Sequence, residues 1–135
     1  MVTIEITYRG DLHCEARHRP SGQLVQAAFP PADRAGSDAF SPTDLLAAAF
    51  GTCLAIELGR IAEKELLNLA GMRVSVTKEM VDAPVRRIGR LCALIEIPVP
   101  LTSGMKASLE RAAHRCPVRA SLCAEIETGV HFVFA

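Results

Sequence analysis

Tryptophan is absent from this sequence, tyrosine occurs once, and aromatics make up only 4% of its 135 residues. So few flat side chains leave little for stacking on nucleic-acid bases. A surplus of charge is missing too: 15 Lys and Arg balance 15 Asp and Glu, for a formal net charge of +0. A protein that tracks phosphates needs a basic excess, so no nucleic-acid partner is expected. No run of about 18 apolar residues occurs, so no membrane span is expected either. The longest uncharged apolar run covers residues 45–56 and suits a buried core helix. No leader is expected, because residues 1–9 alternate apolar and polar side chains. Five cysteines, Cys14, Cys53, Cys92, Cys116 and Cys123, form no C-x-x-C pair and are odd in number. They read neither as a disulfide scaffold nor as a zinc site. A reducing cytoplasm, where thiols stay free, fits this usage. Walker, G-x-G-x-x-G, G-x-S-x-G and H-E-x-x-H motifs are all absent.

Half of the residues are hydrophobic, which is too many for a disordered chain, and the length fits one domain. Strands are expected over residues 1–9, 12–17 and 23–29, joined by turns at Gly10-Asp11 and Pro20-Ser21-Gly22. Residues 30–40 read as a loop rich in proline, aspartate and glycine. A long helix then opens on strong local signals. Ser41 suits the N-cap, Pro42 the first helical position, and Asp44 completes an S-x-x-D capping box. Its pattern runs to about residue 69, with Gly71 able to end it. Residues 45–56 are apolar all round, so burial on every side is expected, with a second subunit covering part of the surface. From Glu57 onward the helix is amphipathic, with Leu58, Ile61, Leu66 and Leu69 on its apolar side. Strands are expected over 73–80 and 88–99, a helix over 103–114 capped by Ser103, a short helix over 117–122 capped by Cys116, and a last strand over 125–134. Strands and helices in this order suggest an α+β domain.

The thiols are the natural place to look for chemistry. Cys53 lies in the apolar half of the long helix, where a cysteine commonly serves as a small buried hydrophobe. Twelve residues past Ser41, it sits about 18 Å from the helix start, out of reach of the dipole. A reactive Cys53 therefore needs a cation from elsewhere, and an arginine keeps its charge when buried. Cys116 is flanked by His114, Arg115 and Arg119 at an expected helix start, all of which favour thiolate, although a helix-end cysteine with solvated basic neighbours reads equally well. Cys14, Cys92 and Cys123 read as packing residues. His13, Cys14 and His18, or His114 and Cys116, offer a weaker metal-binding alternative.

Two separated segments together carry a family resemblance. Residues 41–53, Ser-Pro-Thr-Asp-Leu-Leu-Ala-Ala-Ala-Phe-Gly-Thr-Cys, and residues 116–122, Cys-Pro-Val-Arg-Ala-Ser-Leu, resemble the two cysteine motifs of the OsmC/Ohr family. The likeness extends over nearly the whole chain, through Phe40, Lys78-Glu79-Met80 and Arg86-Arg87-Ile88 to the closing strand, and is nearest to the general OsmC branch. The resemblance implies an intertwined homodimer in which strand meanders and sheets wrap long central helices. It implies a peroxidatic Cys53 that attacks hydroperoxides and a resolving Cys116 that closes a disulfide. It also implies a lipoyl- or thioredoxin-type dithiol as reductant, and no cofactor.

The resemblance also implies an activating arginine from the N-terminal meander, for which Arg17 and Arg19 stand as candidates. One feature departs from the family pattern. Where its peroxidases carry a glutamate that holds this arginine, this chain has Thr43. Asp44 is adjacent, though its capping role explains it, and Glu57 lies one turn beyond Cys53 on the same helix face. The expectation is a thiol-dependent peroxidase of organic hydroperoxides. The alternative is a non-catalytic dimer of the same fold that binds a small apolar ligand or senses oxidants.

Overall fold

The computed structural model describes residues 1–29 and 38–135. Its elements are β1 Ile4–Gly10, β2 His13–His18, β3 Leu24–Ala28, α1 Pro42–Lys64, β4 Arg73–Val81, β5 Arg87–Ile97, α2 Ser103–Ala113, α3 Pro117–Ser121 and β6 Glu127–Phe134. The α+β class holds, with two three-stranded sheets and one long helix. The chain divides into two compact units, Met1–Leu46 and Ala47–Ala135. Most of the expected loop over 30–40 lies outside the described residues. Its end is described: Phe40 forms a bridge to Ala27 and its carbonyl accepts from the Ala28 N–H at 2.9 Å.

The first unit is an antiparallel meander in the order β1-β2-β3. Gly10 pairs with His13, so Asp11 and Leu12 alone form the hairpin loop. Both have positive φ, 49° and 59°, as two-residue hairpin loops with native twist require. The ladder places Ile4, Ile6 and Tyr8 on one face with Cys14, Ala16, Val25 and Ala27. Much of this apolar face is exposed: Ile6 is 62% and Tyr8 63% accessible.

The unit also contains the start of α1, where the capping box forms as expected. The Asp44 N–H donates to Ser41 Oγ at 3.1 Å, and the Ser41 N–H donates to Asp44 Oδ2 at 2.9 Å. Two donors left over at any helix start are thus satisfied reciprocally.

The second unit is built on the sheet β4-β5-β6, in which β5 pairs antiparallel with β4 and parallel with β6. The central strand is buried at Ile88, Leu91, Ala93, Ile95 and Ile97. The spacing of three between Ile88 and Leu91 breaks the usual alternation because Gly89 is an unpaired bulge residue. Against this strand pack Phe50, Leu54, Leu58 and Ala62 of α1 and Leu109, Ala112 and Ala113 of α2. Gly51 permits close approach of helix and sheet: a Cβ there would stand 2.8 Å from Val76 Cγ2.

Three expectations about helices need correction. α1 ends at Lys64 rather than near residue 69. Leu66 adopts φ 57°, and the Leu67 and Leu66 amides donate back to Ala62 and Glu63. This is a Schellman ending with leucine in the left-handed position usually held by glycine. Leu66 is therefore almost fully exposed rather than on the apolar side. In the single chain Leu46 and Ile56 of the apolar run are exposed, the kind of surface a second subunit is expected to cover. Finally, Thr102, not Ser103, caps α2, accepting the Met105 N–H at 3.2 Å. By length and composition alone α1 could cross a membrane, but Phe50, Leu54 and Leu58 are completely buried inside the protein, as in a core helix.

Candidate active site

The structure brings Cys53 and Cys116 together. Cys53 lies in the middle of α1, half-buried against the core of the second unit. Cys116 sits between α2 and α3, fully buried. Pro117 keeps it out of helical geometry, at φ −57° and ψ 119°, so it forms the N-cap of α3 as the sequence suggested. Its Sγ accepts the Arg119 N–H at 3.5 Å. Cys116 lies close enough to Cys53 for the two thiols to influence each other, and both are free.

Burial pushes the Cys116 thiol up, and its hydrogen bond to Cys53 pushes the same way. The backbone N–H groups of Arg119 and Val118 oppose both. Cys116 is thus held protonated. Two neighbouring free sulfurs can form a disulfide when one is oxidised.

The residues around Cys116 act differently from their reading in the sequence. The Arg119 side chain runs to Thr128 Oγ1, to which Nε donates at 2.9 Å, and to His114 Nδ1, 2.8 Å from Nη1. It is the Arg119 backbone, not its guanidinium, that meets the sulfur. Thr128 gave no signal in the sequence, because its link to the loop exists only once β6 pairs with β5.

The other candidates lie as follows. Asp44 is engaged in the capping box. Glu57 pairs with Arg60 of the same helix at 3.2 Å. Arg19 pairs with Glu5 at 2.6 Å, and Arg17, exposed, stands opposite Glu5 in the β1–β2 ladder. Arg17, Arg19 and Asp44 belong to the first unit, Glu57 and the two thiols to the second. Cys14 and Cys92 are half-buried, but Cys123 is exposed and donates to Glu125 Oε2, so packing does not explain it. The metal alternative at His13, Cys14 and His18 fails on strand geometry. His13 faces away from the other two, bonding the Asp11 carbonyl and Asp38, while His18 bonds Ser21. Among the described residues no group of three His, Cys, Asp or Glu side chains is placed to hold a metal ion.

Comparison with known proteins identifies the fold. The family model of OsmC-like proteins matches residues 35–131. No curated protein matches the chain. Among solved structures, one from Psychrobacter arcticus 273-4, named for osmotic stress induction and a detoxification response, is 31% identical. It superposes with a TM-score of 0.91 over 98% of this chain and 96% of its own. An organic hydroperoxide resistance protein of Legionella pneumophila shares the fold at 14% identity, with a TM-score of 0.76 over 98% of this chain and 96% of its own. The organic hydroperoxide resistance protein of Bacillus subtilis does so at 18% identity, with a TM-score of 0.73 over 97% of this chain and 98% of its own.

Proposed function

Because the chain belongs to the OsmC-like family, which includes organic hydroperoxide resistance proteins, we propose that it is a thiol-dependent peroxidase acting on organic hydroperoxides. The observation that carries this reading is the neighbouring pair of free thiols, Cys53 and Cys116. In the first step the Cys53 thiolate attacks the distal peroxide oxygen. An S–O bond forms, the O–O bond breaks, and the alcohol leaves after taking up a proton. Cys53, oxidised by two electrons, becomes a sulfenic acid. Cys116 then attacks that sulfur, the S–O bond breaks, and water leaves as the disulfide closes. A dithiol of the lipoyl or thioredoxin type returns both thiols and is itself oxidised to a disulfide.

Arg17 or Arg19 is proposed as the activating cation, with Glu57 or Asp44 standing in for the family glutamate replaced here by Thr43. The active form is proposed to be a homodimer in the cytoplasm. The exposed apolar face of the meander, at Ile4, Ile6, Tyr8 and Val25, supports self-association. So do Leu46 and Ile56, exposed on the long helix.

Reduced protein treated with one equivalent of cumene hydroperoxide should lose two thiols per chain. Cys53→Ser should abolish that loss. An unchanged thiol count in the parent protein favours the non-catalytic reading instead.

A further inference from the structure

The mechanism proposed above uses two sulfurs, and beside one of them the structure places a hydrogen-bond network centred on Arg119. Cys116 lies between His114, the C-cap of α2, and Arg119 in α3. The Arg119 backbone N–H donates to Cys116 Sγ, and its side chain bonds both His114 Nδ1 and Thr128 Oγ1. One residue thus joins the segment before the thiol, the thiol itself and a strand of the sheet. Thr128 stands opposite Leu91 in the β5–β6 ladder, and Leu91 is completely buried in the same core as Cys116. The guanidinium has no carboxylate partner among the described residues. Both of its acceptors are neutral groups if His114 carries its proton on Nε2, the tautomer that leaves Nδ1 free to accept.

We propose that His114, Arg119 and Thr128 form a positioning clamp that holds Cys116 in register for disulfide closure with Cys53. The reason is geometric. α3 is a single turn of five residues, too short to hold its own start rigidly. Arg119 supplies that rigidity, because its planar fork meets two acceptors on separate elements. While it is held, its backbone N–H stays at the sulfur and can stabilise the Cys116 thiolate that must attack. Released, α3 can fray, the N–H leaves the sulfur, and Cys116 loses both its aim and the donors that α3 supplies. None of the three side chains reacts; each acts through the position of Cys116.

The clamp rests on the reading that these two thiols form a functional disulfide, and its test does not need peroxide. Diamide closes any well-placed dithiol: one thiolate adds to its N=N bond, the second displaces the hydrazine, and the diazene takes two electrons and two protons. Closure of the Cys53–Cys116 disulfide by diamide is followed by stopped flow and peptide mass spectrometry. Exchange of the Arg119 amide is followed by NMR. Thr128→Val keeps the shape of the side chain and removes the acceptor; Thr128→Ser keeps an acceptor. His114→Ala, at an exposed helix end, offers a second break of the network.

Thr128→Val and His114→Ala should each slow closure about tenfold or more and speed Arg119 amide exchange. Thr128→Ser should stay within about threefold of the parent, a rescue that a purely space-filling role would not require. Equal closure rates in the parent, Thr128→Val and His114→Ala would overturn the clamp. So would Thr128→Ser closing as slowly as Thr128→Val. A parent that closes with diamide but consumes no hydroperoxide would sink the peroxidase reading and leave the clamp standing.

Discussion

At Cys116 two effects oppose each other within one residue. Burial and the Cys53 hydrogen bond raise the thiol, while the N–H groups of Arg119 and Val118 lower it, and the first pair wins. A thiol raised in the folded state ionises more readily in the unfolded chain. Its contribution is therefore constant below the usual thiol value of about 9 and is lost as pH rises above it. Cys116→Ser should flatten the alkaline fall in the urea midpoint above about pH 9. Iodoacetamide should label exposed Cys123 first and buried Cys116 last, as peptide mass spectrometry would show. His13 is the converse case. The Asp11 carbonyl, and then Asp38, raise its imidazole above 6.5. That contribution is full below the ordinary value and disappears as pH rises through the raised one. Asp38→Asn should lower the His13 titration midpoint measured by NMR. Cys53 and Cys116 were both legible in the sequence as motif cysteines. Thr128 was not, since a partner nine residues from Arg119 has no local signature.

Among the elements, the two ends of α1 contrast. Its start was legible because every participant lies within four residues: Ser41, Pro42, Thr43 and Asp44 carry the capping box themselves. Its end was not, because the Schellman turn depends on backbone φ at Leu66 and on Leu67 packing back onto the core. Leucine pays a steric penalty in the left-handed region that glycine avoids. Leu66→Gly should stabilise the protein by about 1 kcal/mol in urea unfolding, since the nearly fully exposed side chain gives up little packing. Gly51→Ala should have the opposite sign. Alanine favours a helix by about 1 kcal/mol, but the new methyl would meet stiff Val76 at 2.8 Å. Overpacking of this kind costs roughly 1–3 kcal/mol, so a net loss of about 1 kcal/mol is expected from the same measurement. The bulge at Gly89 was likewise invisible, because it is defined by the partner strand rather than by β5 itself.

For the whole molecule, the open question is what covers its exposed apolar residues. Ile4, Ile6, Tyr8 and Val25 form one face of the meander, and monomers rarely leave so many large side chains together in water. Sedimentation equilibrium at micromolar concentration should give twice the mass of one chain. Ile6→Glu should shift that equilibrium toward the monomer by placing a charge in the apolar face. A parent that sediments as a monomer throughout would count against the homodimer.

Local sequence alone encodes the strand alternation, the N-terminal capping box of the long helix, the Cys116 cap and the two cysteine motifs. All of these rest on residues within a few positions of one another, where periodicity and hydrogen-bonding reach are enough. Tertiary structure decided that Cys53 and Cys116 meet across 63 positions of chain. It also turned the Arg119 side chain to His114 and Thr128, away from the role of charge donor that its neighbourhood suggested. Long-range packing of α1, α2 and β5 around one core makes those choices, and no local pattern encodes them.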